Sequence, residues 1–240
     1  MRYKRLNFED YFIICSDNYP GIQTSLELAE YKQIPYVYKK KTFIAEYQVR
    51  FDEKRNCIQA IFQQTHEKSD WNVNFDFPYK IYDEFTFEGE VIQLKVHGGW
   101  GTMWLALQET VRAEIKALLK QHPKCNIEVF GWSLGSAIAA LAAEDIYFKF
   151  GQKPYLYTFG SVKPFYGKKT YNYVKGCCKK AYNFYDHCDI VGYMVPFCGW
   201  FTFNHCKVKL DKHFCITKLF NPNKYHTNYH MSYLYEDIKD

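Results

Sequence analysis

The segment Glu128-Val129-Phe130-Gly131-Trp132-Ser133-Leu134-Gly135-Ser136-Ala137 joins an apolar run to an alanine-rich one through the pattern G-x-S-x-G. With a strand before it and a helix after it, that pentapeptide suits nucleophilic chemistry. The sharp turn lifts the serine hydroxyl out of the chain and sets it beside the free N–H groups of a helix start, which favour developing negative charge. Gly131 and Gly135 carry no Cβ, so the helix has room to pack back on the strand. Ser133 is therefore the candidate nucleophile.

A serine hydroxyl is a poor nucleophile until a base takes its proton, and the base is usually a histidine held by a carboxylate. In chains with this turn the order is serine, acid, histidine. For the acid, Asp186 and Asp189 both follow an expected strand at Ala181–Tyr185, and spacing does not separate them. For the base the candidates are His187, His205, His213, His226 and His230, the last two in a late loop. An oxyanion formed by attack needs two aimed donors. One is the backbone N–H of Leu134. The other comes from Gln63-Gln64-Thr65 or from its rival His97-Gly98-Gly99-Trp100.

These groups need a frame to hold them. Residues 24–33 read as a short helix capped by Thr24 or Ser25. Residues 42–51 and 56–62 read as two strands across Asp52-Glu53-Lys54-Arg55, the second of them half-buried. The clearest helix is 102–120, with Trp104, Leu105, Leu107, Val111, Ile115, Leu118 and Leu119 on one face and Pro123 after its end. A strand at 126–130, a helix at 133–149, strands at 154–159 and 181–185, and a hairpin within 206–220 complete the reading. Strands alternating with helices imply an α/β fold with a largely parallel sheet. No linker is visible, so residues 1–240 are read as a single domain.

Composition narrows the class. Hydrophobic residues at 48% and charged residues at 24% describe an ordinary globular chain able to bury a core. Aromatics reach 20%, enough to line an apolar acyl cleft as well as fill the core. The net charge of +5 is spread out, with Lys39-Lys40-Lys41 and Lys179-Lys180 the only runs. Short basic runs are ordinarily solvated faces, and no nucleic-acid reading module accompanies them. Attraction to an anionic surface stays open. No signal-peptide core and no bilayer-length apolar run is apparent, so a cytoplasmic location is expected. The nine cysteines are then reduced thiols. Residues 177–215 are rich in cysteine and histidine but lack the C-x-x-C knuckle, so buried thiols are preferred to a zinc site.

Taken as an ordered set, the blocks resemble the class 3 lipases, the family that includes the fungal triacylglycerol lipases. Ile61-Phe62-Gln63-Gln64-Thr65 with Asp70-Trp71 is similar to that family's F-R-G-T block and the D-W after it. Val96-His97-Gly98-Gly99-Trp100 is similar to V-H-x-G-F, Gly131–Gly135 to G-H-S-L-G, and Tyr157–Gly160 to the T-F-G block. Asp189-Ile190-Val191 with Pro196 is similar to N-D-x-V-P, and His230–Tyr233 to H-x-x-Y. The resemblance implies an α/β-hydrolase fold and a serine hydrolase of lipid carboxylic esters. It makes Ser133 the nucleophile, Asp189 the acid and His230 the base. Thr65 and Leu134 become the oxyanion donors, while His97 becomes structural at the start of the helix before the elbow strand. Trp132 and Trp100 are expected at the substrate. The implied partner is a lipid or other ester, with transient contact at a membrane surface and no nucleic acid. The mechanism requires no metal or organic cofactor. A phospholipase, a small-ester carboxylesterase and a non-catalytic scaffold are the alternatives. The chain differs from the family pattern at Gln64, Trp132 and Ser136, where glycine, histidine and glycine stand. The family often carries a lid between the D-W and V-H-x-G-F blocks. Here that interval, 72–95, is read as ordinary strand and loop rather than a flap.

Overall fold

Alternating apolar residues build the first edge of the main sheet. In the computed structural model, which describes residues 30–62, 79–185 and 199–209, β1 (Lys32–Tyr38) pairs antiparallel with β2 (Lys41–Asp52), and β2 with β3 (Cys57–Phe62). From β3 onward the pairing turns parallel. β3 pairs with β6 (Asn126–Trp132), β6 with β7 (Tyr155–Phe159), β7 with β9 (Lys180–Tyr185), and β9 with β11 (Cys206–Lys209). The seven strands run in the order β1-β2-β3-β6-β7-β9-β11. This is the mostly parallel sheet of the α/β-hydrolase fold expected from the sequence. A smaller antiparallel sheet is ordered β10-β8-β5-β4, with β4 at Tyr79–Phe87, β5 at Glu90–His97, β8 at Phe165–Tyr166 and β10 at Trp200–Phe201.

Several expectations are corrected. Lys32 and Gln33, placed at the end of a 24–33 helix, belong to β1 and pair with Tyr47 and Glu46. Ile34, Tyr36 and Tyr38 alternate with Pro35 and Val37, a period of two that outweighs the capping signal. Residues 24–29 of that expected helix lie outside the described residues. β3 is buried along its whole length rather than half-buried, because it sits inside the sheet between β2 and β6. Its one polar member, Gln59, accepts from Arg50 Nε at 3.0 Å and donates to Glu128 at 3.3 Å, which satisfies it there. Of the expected C-terminal hairpin, the first strand is β11, paired in parallel with β9; the rest lies outside the described residues. The interval considered for a flap is strand and turn from residue 79 onward: β4 and β5 form a hairpin over Glu88-Gly89.

Helix α1 (Gly98–Gln121) is amphipathic and longer than expected, and its capping residue is His97. Its core face holds Trp100, Trp104, Leu107, Val111 and Ile115, whereas Leu105, expected on that face, is 55% exposed. Helix α2 (Leu134–Phe150) is apolar on every side from Ala137 to Ala143, and residues 134–146 are buried throughout, Glu144 and Asp145 among them. A helix segment without a polar stripe must be covered on every side, and the carboxylates that follow it need partners. The two helices are clamped by Asp145, which accepts from Gln108 Nε2 at 2.7 Å and from Arg112 Nε at 2.9 Å and Nη2 at 2.6 Å.

The neighbouring Glu144 behaves differently. It is buried and accepts from Tyr173 Oη at 2.8 Å, which ties the short helix α3 (Lys168–Val174) to α2. Burial pushes its carboxyl up to about 8, with Asp145 adding to the rise. A carboxyl whose folded pKa lies above its ordinary 4.5 binds a proton on folding. Its contribution is therefore complete below about pH 4.5 and is lost as pH climbs toward 8. Glu144→Gln keeps an acceptor for Tyr173 but cannot ionise. Urea titrations of this variant should show a flatter loss of stability between those pH values than the parent shows.

Candidate active site

β6 and α2 meet in a turn that only a few residue types tolerate. Ser133 lies at φ 54°, ψ −122°, a backbone state that an L-residue occupies at a cost of about 1–3 kcal/mol. The surroundings impose it. Ser133 N donates to Phe159 O at 2.9 Å, Ser136 N donates to Ser133 O at 2.9 Å, and the Ser136 hydroxyl donates to the same carbonyl. Ser136 Oγ also accepts from Val162 N at 3.2 Å, which joins the turn to the loop after β7. Gly131 is required for a steric reason: a Cβ there would stand 2.1 Å from Gly135 O and 2.8 Å from the Ala139 Cβ.

The result is a half-buried serine in a buried stretch. Within residues 127–146 Ser133 alone is not buried. It stands at the start of α2, where the N–H groups of Leu134 and Gly135 have no carbonyl a turn earlier in the helix to bond. Strained backbone, partial exposure and a helix start coincide on this one residue.

The sheet directs other segments to the same edge. β3 ends at Phe62, level with Gly131; β9 ends at Tyr185, one residue past the Phe184 that pairs with Phe159; and Lys209 of β11 pairs with Tyr185. The chain therefore leaves β3, β9 and β11 at the edge where Ser133 stands. Thr65, Gln64, Asp186, His187, Asp189, His213, His226 and His230 follow those exits and lie outside the described residues.

The remaining candidates are described. His205 precedes β11 at the other end of that strand, and its Nε2 lies 3.0 Å from Lys175 O, so it is not brought to Ser133. His97 is a buried cap: its Nδ1 accepts from Trp100 N at 3.4 Å, and its ring stacks on Trp100 at 3.9 Å. Gly98 and Gly99 form the first turn of α1, as the V-H-G-G-W block implied. Trp132 closes β6 and is 1% exposed, and Trp100 is 2% exposed. Cys57, Cys125, Cys177 and Cys178 are buried free thiols, and burial pushes the Cys57 and Cys177 thiols up. The positioning role of Ser136 is not legible in the sequence. The sequence shows only a hydroxyl where the family pattern has glycine; its use depends on Val162, which no spacing rule brings near.

A family model described as "Lipase (class 3)" matches residues 60–199, more than half of the chain. The chain belongs to the class 3 lipases. Solved structures agree at the level of fold. A triacylglycerol lipase from Penicillium expansum superposes with a TM-score of 0.62 at 17% identity, over 74% of this chain and 68% of that one. The native Rhizomucor miehei lipase, solved as a propeptide complex, gives 0.55 at 22% identity over 71% of this chain and 54% of its own. A triacylglycerol lipase whose catalytic centre is titled as a serine protease triad gives 0.56 at 22% identity, over 78% and 71%. The class 3 lipase chain thus spans about half the length of the Rhizomucor structure.

Proposed function

We propose that the protein is a serine hydrolase of carboxylic esters of lipids. The observation that carries this reading is Ser133 itself, held at φ 54° and half-buried at the edge of the sheet in an otherwise buried run. Family membership supports it, as do the exits of β3, β9 and β11 toward that edge. In this reading His230 takes the Ser133 proton while Oγ attacks the ester carbonyl, and Asp189 holds the imidazole. The N–H groups of Leu134 and Thr65 receive the oxyanion. The alcohol leaves with the proton from His230, and water, activated in the same way, releases the acid from the acyl-enzyme. Trp132 and Trp100, expected at the substrate, are both buried and offer it no exposed surface. Buried reduced thiols accord with a cytoplasmic site of action, which is part of the same proposal.

A fluorophosphonate probe tests the nucleophile directly. The parent protein should be labelled stoichiometrically, with the adduct at Ser133 by peptide mass mapping. A folded protein that takes up no label would instead favour a scaffold on the hydrolase fold, the reading motivated by Gln64 and Trp132. Rates across short-chain esters, triacylglycerols and phospholipids then separate a lipase from a phospholipase or carboxylesterase.

A further inference from the structure

The β1–β2 hairpin overhangs the active-site edge. Tyr47 of β2 pairs with Phe62 of β3, which pairs with Gly131. Residues 41–46 and their partners on β1 therefore continue past the sheet on the side of Ser133, for roughly 20 Å at strand rise. The two faces of this arm differ. Tyr36, Tyr38, Phe43 and Ala45 are buried, and the base is moored to α1 through Tyr47 Oη, which donates to Glu114 at 2.7 Å. On the outer face Val37 is 65% exposed and Ile44 55%. At the tip are Lys39, Lys40 and Lys41, all exposed. Lys80 of β4 joins them, its Nζ 5.8 Å from the centre of the Tyr38 ring that also carries Lys39. The first carboxylate on the outer face, Glu46, stands back from the tip and accepts from Gln33 at 2.7 Å.

The turn itself is chosen against local preference. Lys39 and Lys40 are its two central residues, at φ 47° and 64°. Such turns favour Asn-Gly or Asp-Gly, because left-handed backbone costs little there. Two lysines in these positions give up turn stability and put charge at the end of the arm. A local turn rule broken at an exposed, charged tip points to a binding role.

We propose that this arm docks the protein on an anionic phospholipid bilayer, with Lys39, Lys40, Lys41 and Lys80 in the headgroup layer and Val37 and Ile44 at its apolar boundary. Clustered lysines supply attraction that fades with salt, and the exposed aliphatic side chains supply a smaller part that does not. Docked this way, the edge bearing Ser133 faces the lipid, so the proposal rests on the ester-hydrolase reading and adds where that enzyme works.

Co-sedimentation with phosphatidylcholine vesicles, with and without phosphatidylserine, tests the surface. The parent should pellet with phosphatidylserine vesicles at low salt and be released at high salt. K40E/K41E should bind them about tenfold more weakly or worse, with hydrolysis of a soluble p-nitrophenyl ester unchanged. The Lys39→Asn, Lys40→Gly pair suits the turn better, so it should unfold no earlier than the parent yet bind less. Full binding by either variant, equal binding to neutral vesicles, or no binding at low salt overturns the proposal. Ser133→Ala should bind as the parent does. Charge-dependent binding by a protein whose Ser133 proves inert would leave the docking surface standing and remove the hydrolase reading.

Discussion

Hydrolysis of p-nitrophenyl acyl esters will fall to background in the Ser133→Ala protein, a loss of about 10⁴–10⁶ in rate. The loss is chemical rather than structural. Among the described residues the hydrogen bonds of Ser133 run through its backbone N and O, which alanine keeps. Alanine also bears the same strain at φ 54°, so the urea midpoint should not move. Ser133→Gly is the companion variant. It relieves the left-handed backbone, so it should be more stable than the parent by about 1 kcal/mol and equally inactive. Initial rates and denaturation curves on the three proteins decide the matter; a Ser133→Ala protein that keeps its rate would remove Ser133 from the mechanism.

Gly131→Ala will damage fold and activity together. Its Cβ would meet the Gly135 carbonyl oxygen at 2.1 Å and carbon at 2.4 Å, and neither is the end of a side chain that can swing away. Relief requires α2 to move off β6, and α2 is the apolar helix buried from Leu134 to Ile146. Overpacking of this kind costs about 3 kcal/mol or more. The variant should melt well below the parent and, where still folded, should lose fluorophosphonate labelling because Ser133 no longer reaches its position. Gly151→Ala is a useful contrast. Unlike Gly131 it sits at positive φ, which strains an alanine, but nothing lies within 4 Å of its added Cβ, so the change should be milder and leave labelling intact.

The nucleophile turn was legible because its requirements are local: apolar residues before it, two glycines within it, alanines after it. β2, β3, β6, β7 and β9 were legible from apolar period and turn residues, to within a residue or two at their ends. β1 was not, because capping residues before it imitated a helix start while its alternation was short. The burial of β3 was not either, since a Gln in a strand reads as a wet face until Arg50 and Glu128 are known to bond it. Leu105 points to solvent because it stands about 100° round the helix from Trp104, off the stripe that Trp100, Trp104, Leu107, Val111 and Ile115 turn to the core. The acid, the base and the second oxyanion donor were named from order and family likeness, since pairings across the chain leave no trace in local sequence.

The hydroxyl of Ser136 has a consequence for how family members compare. It gives a hydrogen to the Ser133 carbonyl and takes one from the Val162 amide, so one small side chain stitches two backbone strands together beside the nucleophile. A glycine transplanted there to match the family consensus would undo both stitches at once. Drift toward the average sequence, which often firms up a protein, should here loosen the residue on which the chemistry depends.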